Sequence, residues 1–383
     1  MNINALRSHN TALLLNLLRQ AGEDGVSRLE LAERTGLTPQ AISKIIARLR
    51  DEGLAVDAGR RASTGGKPRT VLRLVPGAAH ALGLHLDRDE LTVVRVDLAG
   101  AVVAARGVPL DLGAGTEAVL GVAAREAAGL LDATVLGAGV AMPGPLDHAA
   151  GVPHRVTGFP EWDGFPLRDA LAERLGLPVV LDKDTNAAAF GIAARGRGGE
   201  SFAYLHLGTG LGAGLVLGGT LHRGARTGAG EFGHQTVQLD GPPCGCGARG
   251  CLEALCLAAV SRGDLAEAAR VLGVGAANLV GLLDIDRVLL GGRVVAAAPE
   301  PFVRGVGAVL EERARREGGG RPVPVSLTDA EPGDGGDGDA GDGGAGGAGD
   351  GGAGGAGGAG TATGDHQVAQ GAALLALAPL FGL

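Results

Sequence analysis

One imidazole and three thiols fall close together in the stretch GEFGHQTVQLDGPPCGCGARGCLE, as His234, Cys244, Cys246 and Cys251. Thiolate sulfur and imidazole nitrogen are donors that hold Zn2+ in a tetrahedron. Four protein ligands leave no open coordination position, so this set predicts a structural zinc site rather than a catalytic one. Gly245, Gly247 and Gly250 separate the thiols and let the backbone wrap closely around an ion. All four cysteines of the chain fall between positions 244 and 256. In a reducing compartment such clustering favours a metal over a disulfide framework. Cys256, in an apolar helical run, reads as a small buried hydrophobe.

A second set of residues has the chemistry of nucleic-acid contact. Residues 1–75 hold twelve Lys/Arg against seven Asp/Glu, a surplus of five, and the net charge of −8 then leaves −13 on the rest of the chain. A basic end on an acidic body points to one end meeting nucleic acid, although a solvated basic face has the same charge pattern. The elements that would position these cations are legible. Leu6, Leu13, Leu14, Leu17 and Leu18 have helical spacing and predict a helix from Leu6 to Gln20. Ser27 suits the N-cap of a short helix, Arg28–Arg34, and Gly36 a tight turn. Thr38 caps the next helix, with Pro39 at its first position, where the missing N–H costs nothing. That helix runs to Glu52 and ends at Gly53. Two short helices joined by a Gly-bearing turn form a helix-turn-helix, and two β-prone runs around a basic loop form a wing. The second helix presents Gln40, Ser43, Lys44 and Arg48 to the major groove of double-stranded operator DNA. The wing offers Arg60, Arg61, Lys67 and Arg69 to phosphates or the minor groove. A small helical domain or a dimerisation element is the plainer alternative for residues 1–76.

From about residue 78 the chain alternates strands and helices, an α/β architecture opened by a β-meander. Helices are expected at Glu117–Leu131, Leu167–Leu175 and Thr185–Arg195, and a strand at Val135–Ala141. The Asp/Gly/Ala tract at 331–360 cannot bury a core, so residues 331–365 are expected to be a disordered insertion. Apolar periodicity resumes from Val368 to Leu380 as a closing helix. With 383 residues and 45% hydrophobic content the chain has ample core material, but aromatics are only 2%, so Leu, Val and Ala must build it. No run reaches the roughly 20 apolar residues that span a bilayer, and no signal peptide is visible. The expectation is a cytoplasmic protein with no membrane partner.

These motifs in sequence resemble the ROK family of repressors and sugar kinases. The resemblance covers almost the whole chain. It rests on Gly-Glu-x-Gly-His at 230–234 and Cys-x-Cys-Gly-x-x-Gly-Cys-x-Glu at 244–253. It also rests on the spaced glycines Gly208, Gly210, Gly212, Gly214, Gly224, Gly228 and Gly230, on VLLGG at 288–292, and on GAALLAL at 371–377. The N-terminal winged helix resembles that of the family's repressor branch. The resemblance implies a winged helix-turn-helix followed by a two-lobed, actin-like (RNase H-like) α/β domain with a sugar cleft between its lobes. The first lobe would span 77–187, completed by 366–383, and the second 188–330. Sugar contacts are then implied for Asp184, Glu231, His234 and Glu253. Asp184 matches the general base of the kinases, although by position alone it reads equally as a helix N-cap. His234 would serve both zinc and sugar.

The chain departs from the kinase pattern at several places. The kinases open with Asp-x-Gly-Gly-Thr, whose amides approach ATP phosphates. Here the stretch is HLDRDE, with His85 at the aspartate position and Asp87 and Asp89 adding negative charge. Lys183 and Gly158 stand where asparagines are expected, and the interval between Glu253 and VLLGG is short. The implied function is a sugar-responsive repressor acting as a homodimer, not an enzyme. A sugar kinase, or a constitutive DNA binder with a decayed sensor, are the alternatives.

Overall fold

The computed structural model describes residues 9–61, 69–328 and 366–383. Lys67 of the expected wing, and the expected insertion at 331–365, lie outside these residues.

The N-terminal head follows its capping signals. Helix α1 (His9–Ala21) leads through a short strand β1 (Val26–Ser27) into α2 (Arg28–Thr35). Ser27 and Glu30 form a reciprocal capping box, with the Ser27 N–H donating to Glu30 Oε2 at 2.6 Å, which satisfies two helix-start donors together. Gly36 ends α2 in the left-handed region, and Thr38 caps α3 (Pro39–Asp51). Strands β2 (Ala55–Arg61) and β3 (Arg69–Leu74) complete a small sheet in the order β1-β3-β2. Leu14, Leu18, Leu31, Ile42, Ile46 and Leu49 are fully buried between the helices, and their apolar area holds this head together.

The body is two five-stranded sheets. The first takes β4 (His80–Leu86), β5 (Glu90–Asp97) and β6 (Val102–Pro109) as an antiparallel meander. After α4 (Thr116–Ala128) it adds β7 (Val135–Met142). A small hairpin, β8 (Leu146–Asp147) and β9 (Val152–Pro153), and α5 (Leu167–Leu175) precede β10 (Val179–Lys183). The order is β10-β7-β4-β5-β6, with β4, β7 and β10 parallel. Helix α6 (Asp184–Ala194) leads to the second sheet and runs unbroken through 187/188, the expected boundary between the lobes. That sheet holds β11 (Phe202–Leu207), β12 (Leu211–Leu217) and β13 (Thr220–Leu221). It continues after α7 (Leu252–Ser261) and α8 (Leu265–Leu283) with β14 (Arg287–Gly291). Then follow α9 (Arg293–Ala297), α10 (Pro299–Arg316) and β15 (Val325–Leu327), in the order β13-β12-β11-β14-β15. The short interval after Glu253 is thus filled by two helices. Helix α8 is long and apolar enough to cross a membrane, but its buried face, including Ala268, Leu272 and Ala276, packs into the core of the second sheet.

The closing helix α11 (His366–Phe381) lies on β4, β7 and α6. Its backbone comes so close that a Cβ at Gly139 would stand 1.8 Å from the Ala372 carbonyl oxygen, so no side chain fits there. At its far end, Leu377 and Phe381 join Leu14, Leu18 and Ile46 in one buried cluster. Arg19 of α1 stacks over the Phe381 ring at 5.0 Å and donates to the Ala194 carbonyl at 2.5 Å. Head and body therefore share a core through α11.

Candidate functional site

The junction of β10 and α6 puts three charged residues in a row. Asp182 is buried and accepts from Asn186 Nδ2 at 2.8 Å and Arg223 Nε at 2.7 Å. Lys183 points the other way. Its side chain is 2% exposed, and its ammonium meets Glu231 Oε1 at 3.0 Å and the Ala229 carbonyl. Lys183 is the N-cap residue of α6, so Asp184 occupies the first helical position and its carboxylate accepts from the Thr185 N–H at 2.6 Å. Burial pushes the Asp184 carboxyl above the usual range, against the opposing pull of His206 and His85.

Glu231 is set by a turn that needs glycine. Gly230 has φ +86°, and a Cβ there would stand 2.0 Å from the Ala213 carbonyl oxygen, so the chain passes β12 at backbone contact. The next residues form a single turn, Phe232–His234, that presents His234. Glu253, one residue into α7, accepts from the Leu211 N–H at 2.9 Å. Asp184, Glu231, His234 and Glu253 line one cavity with Lys183, Thr157, His206 and Thr209. Its volume is about 80 Å3, well under the roughly 300–1,000 Å3 of ordinary small-molecule sites. The Lys183 side chain is part of its wall.

His234 also belongs to a second cluster. Its Nδ1 lies 3.7 Å from Cys244 Sγ, Cys246 Sγ lies 3.8 Å from Cys251 Sγ, and all four donor atoms fall within 4.8 Å of one another. Metal–sulfur bonds of about 2.3 Å in a tetrahedron put sulfur ligands roughly 3.8 Å apart. Burial pushes the Cys251 thiol up to about 12 and raises Cys244, whereas the Ala248 N–H lowers Cys246. Three thiolates this close coexist at neutral pH only around a cation, so the donor set suits a metal ion. With Nδ1 turned to the sulfurs, the Nε2 edge of the ring is left for the cleft. Cys256 is fully buried with its Sγ near the Ala268 carbonyl, outside this cluster.

Across the cleft, residues 87–89 engage the second sheet. Thr209 Oγ1 donates to Asp87 Oδ1 at 3.1 Å, and Arg293 makes a two-pronged contact with Asp89 at 3.0 Å on each branch. Burial opposes charge on Asp87, but His85, the Arg88 N–H, Arg293 and His206 together hold its carboxyl below the usual range.

A sequence profile of the ROK family matches residues 116–263, and one described as winged helix-turn-helix DNA-binding matches residues 8–55. The chain thus carries a ROK family domain behind an N-terminal winged helix-turn-helix. The xylose repressor of Caldicellulosiruptor bescii is 29% identical over 240 residues, 60% of this chain and 59% of the repressor. The chain spans about three-fifths of the length of the curated repressors it matches in this way. A crystal structure of a ROK family transcriptional regulator, described as a homolog of the E. coli MLC protein, superposes with TM-score 0.70. It covers 97% of both chains at 20% identity. The ROK hexokinase from Thermus thermophilus is 29% identical, with TM-score 0.54 over 77% of this chain and 97% of its own.

In the winged helix, α3 buries one face and exposes the other. Gln40, Ser43 and Lys44 are exposed along one face of α3. Arg48 does not share that exposed row: it is half-buried, and its Nη2 donates to Thr11 of α1 at 2.6 Å. Arg60 and Arg61 lie in β2, and Arg69 opens β3 with its side chain exposed. Sequence reasoning missed Thr209 and Arg293 as cross-cleft partners. Nothing local marks them, because their partners lie 122 and 204 residues away.

Proposed function

We propose that this protein is a sugar-responsive transcriptional repressor that binds operator DNA as a homodimer through its winged helix. The observation that carries the reading is the physical union of the two parts. A helix-turn-helix head with an exposed polar face on α3 shares its core, through α11, with a two-sheet body. The cleft of that body gathers Asp184, Glu231, His234 and Glu253. Sugar hydroxyls would donate to the carboxylates and meet the Nε2 edge of His234. Zn2+ held by His234, Cys244, Cys246 and Cys251 would fix the imidazole and the loop bearing it, so metal and sugar sites are coupled through one ring. The lobes are 77–187 with 366–383, and 188–330. A dimer places two α3 helices on a palindromic site in the cytoplasm. Gln40, Ser43 and Lys44 read bases, while Arg60, Arg61, Lys67 and Arg69 meet the backbone.

The reading includes no phosphoryl transfer. Asp87 and Asp89 carry negative charge where ATP phosphates would have to sit, and both are already engaged by Thr209 and Arg293. Sugar kinase activity is the second reading, supported by the hexokinase relative and by the retained glycines at 208–212. ADP release from ATP, magnesium and a hexose panel decides it, and turnover above background would overturn the repressor reading's non-enzymatic part.

The main test is a gel shift with DNA from upstream of the gene, repeated across a sugar panel that includes xylose, after the repressor relative. A specific shift altered by one sugar is expected. A shift insensitive to every sugar would instead favour a constitutive binder whose sensor has decayed.

A further inference from the structure

On the side of the β10–α6 junction away from the sugar cleft, the outer edges of the two sheets face each other. Strand β10 is the edge of the first sheet and β13 the edge of the second. Between them lies a cavity of about 590 Å3, within the range of roughly 300–1,000 Å3 typical of small-molecule sites. Val180, Phe190, Leu221, Leu375 and Pro379 wall most of it. Val180 is 36% exposed.

One part of this cavity carries two guanidinium groups and an imidazole. Arg168 comes from α5, His148 from the turn after β8, and Arg223 from the chain after β13. The two turns touch, because His148 Nδ1 meets Thr227 Oγ1 at 2.8 Å. Arg168 is steadied by the Ala149 carbonyl and by Asp169, each at 2.8 Å, through Nη1 and Nε. Arg223 is oriented by buried Asp182 through Nε alone, which leaves both of its terminal nitrogens without a hydrogen bond among the described residues. Asp182 itself is saturated by Asn186, the Lys183 N–H and Arg223, so it does not compete for a ligand's donors. Guanidinium forks match carboxylates in two-pronged geometry.

We propose that this cavity is a second ligand site, for a small organic carboxylate with an apolar body. The ligand's carboxylate would sit between Arg168 and Arg223, with its body along Val180, Leu221 and Pro379. A sugar lacks the apolar body these walls require, so the ligand differs in class from that of the cleft. Its wall includes Asp182 and Ala194, and the Ala194 carbonyl receives Arg19 of the head. An occupant would therefore touch Asp182, the neighbour of Lys183 in the chain, and Ala194, which anchors the head.

The test uses the full chain and saturation-transfer NMR with hexanoate, and 1-hexanol as the neutral shape match. Hexanoate is expected to receive saturation and 1-hexanol much less. Arg168→Gln removes a charge-assisted donor, and the hexanoate Kd is expected to rise about tenfold. Arg168 is chosen because loss of Arg223 would strand a buried carboxylate. Thr220→Trp, on the exposed rim of β13, is expected to fill the cavity and abolish the signal while zinc content and melting temperature stay unchanged. The proposal is overturned by absence of hexanoate binding to the wild type, by equal binding of 1-hexanol, or by hexanoate binding that neither variant alters.

Discussion

Asp184 and Lys183 are neighbours in sequence, yet they meet different partners. Lys183 pairs with Glu231, whereas Asp184 has no cation in hydrogen-bond contact among the described residues and its carboxyl is pushed up by desolvation. A carboxyl whose folded pKa is raised supports the folded state fully below its unfolded value, near 3.9 for aspartate, and loses that contribution as pH rises through the folded value. Asp184→Asn is therefore expected to raise the melting temperature near neutral pH, by an amount that shrinks as pH is lowered toward about 4. Thermal melts at both pH values check this, and a pH-independent difference would refute it. Lys183→Asn shortens a side chain that lines the cleft and supplies an amide able both to donate and to accept. Neutral hexoses are expected to raise the melting temperature of this variant more than that of the wild type. Equal shifts would mean that Lys183 does not restrict the cavity.

Helix α3 separates two roles that its sequence runs together. Lys44 projects from the exposed face, while Arg48 ties α3 to Thr11 of α1. Lys44→Ala is expected to weaken operator binding in a gel shift without altering stability. Arg48→Ala is expected to cost about 1 kcal/mol of stability through the lost hydrogen bond and stem packing, which chemical denaturation will read. The loop from His234 to Cys251 is likewise an element held by side chains rather than by regular structure. Cys246→Ser is expected to lower bound zinc, measured by elemental analysis, and to reduce the melting temperature of the body. Full zinc occupancy in that variant would remove Cys246 from the ligand set.

Across the whole molecule, α11 and α6 join the head to the body. Arg19 bridges the seam by stacking on Phe381 and bonding Ala194, and Asn16 accepts from its second branch at 2.9 Å. Arg19→Ala is expected to leave operator affinity nearly intact while reducing the change in affinity that an effector sugar produces. A ligand shifts such an equilibrium only through differential affinity for its two states. Paired gel shifts with and without sugar measure that difference, and an undiminished sugar response would place the coupling elsewhere.

Sequence alone determined whatever depends on neighbours along the chain. Caps at Ser27 and Thr38, the turn at Gly36 and the apolar spacing of α1 specify the head, since capping and amphipathicity act over three or four residues. His234 and the three cysteines were legible as a donor set because their spacing is short and their chemistry specific. The closing helix was visible as an apolar run. Tertiary structure alone decided where that helix lies, because its contact with Gly139 joins positions more than 200 residues apart. It also decided that Arg48 faces α1, that Lys183 lines the cleft beside Glu231, and that Asp87 and Asp89 are clasped by Thr209 and Arg293. These facts depend on which side a helix or strand turns toward distant partners. Local propensity carries no information about that choice, which is fixed only when the two sheets and α11 bury their faces together.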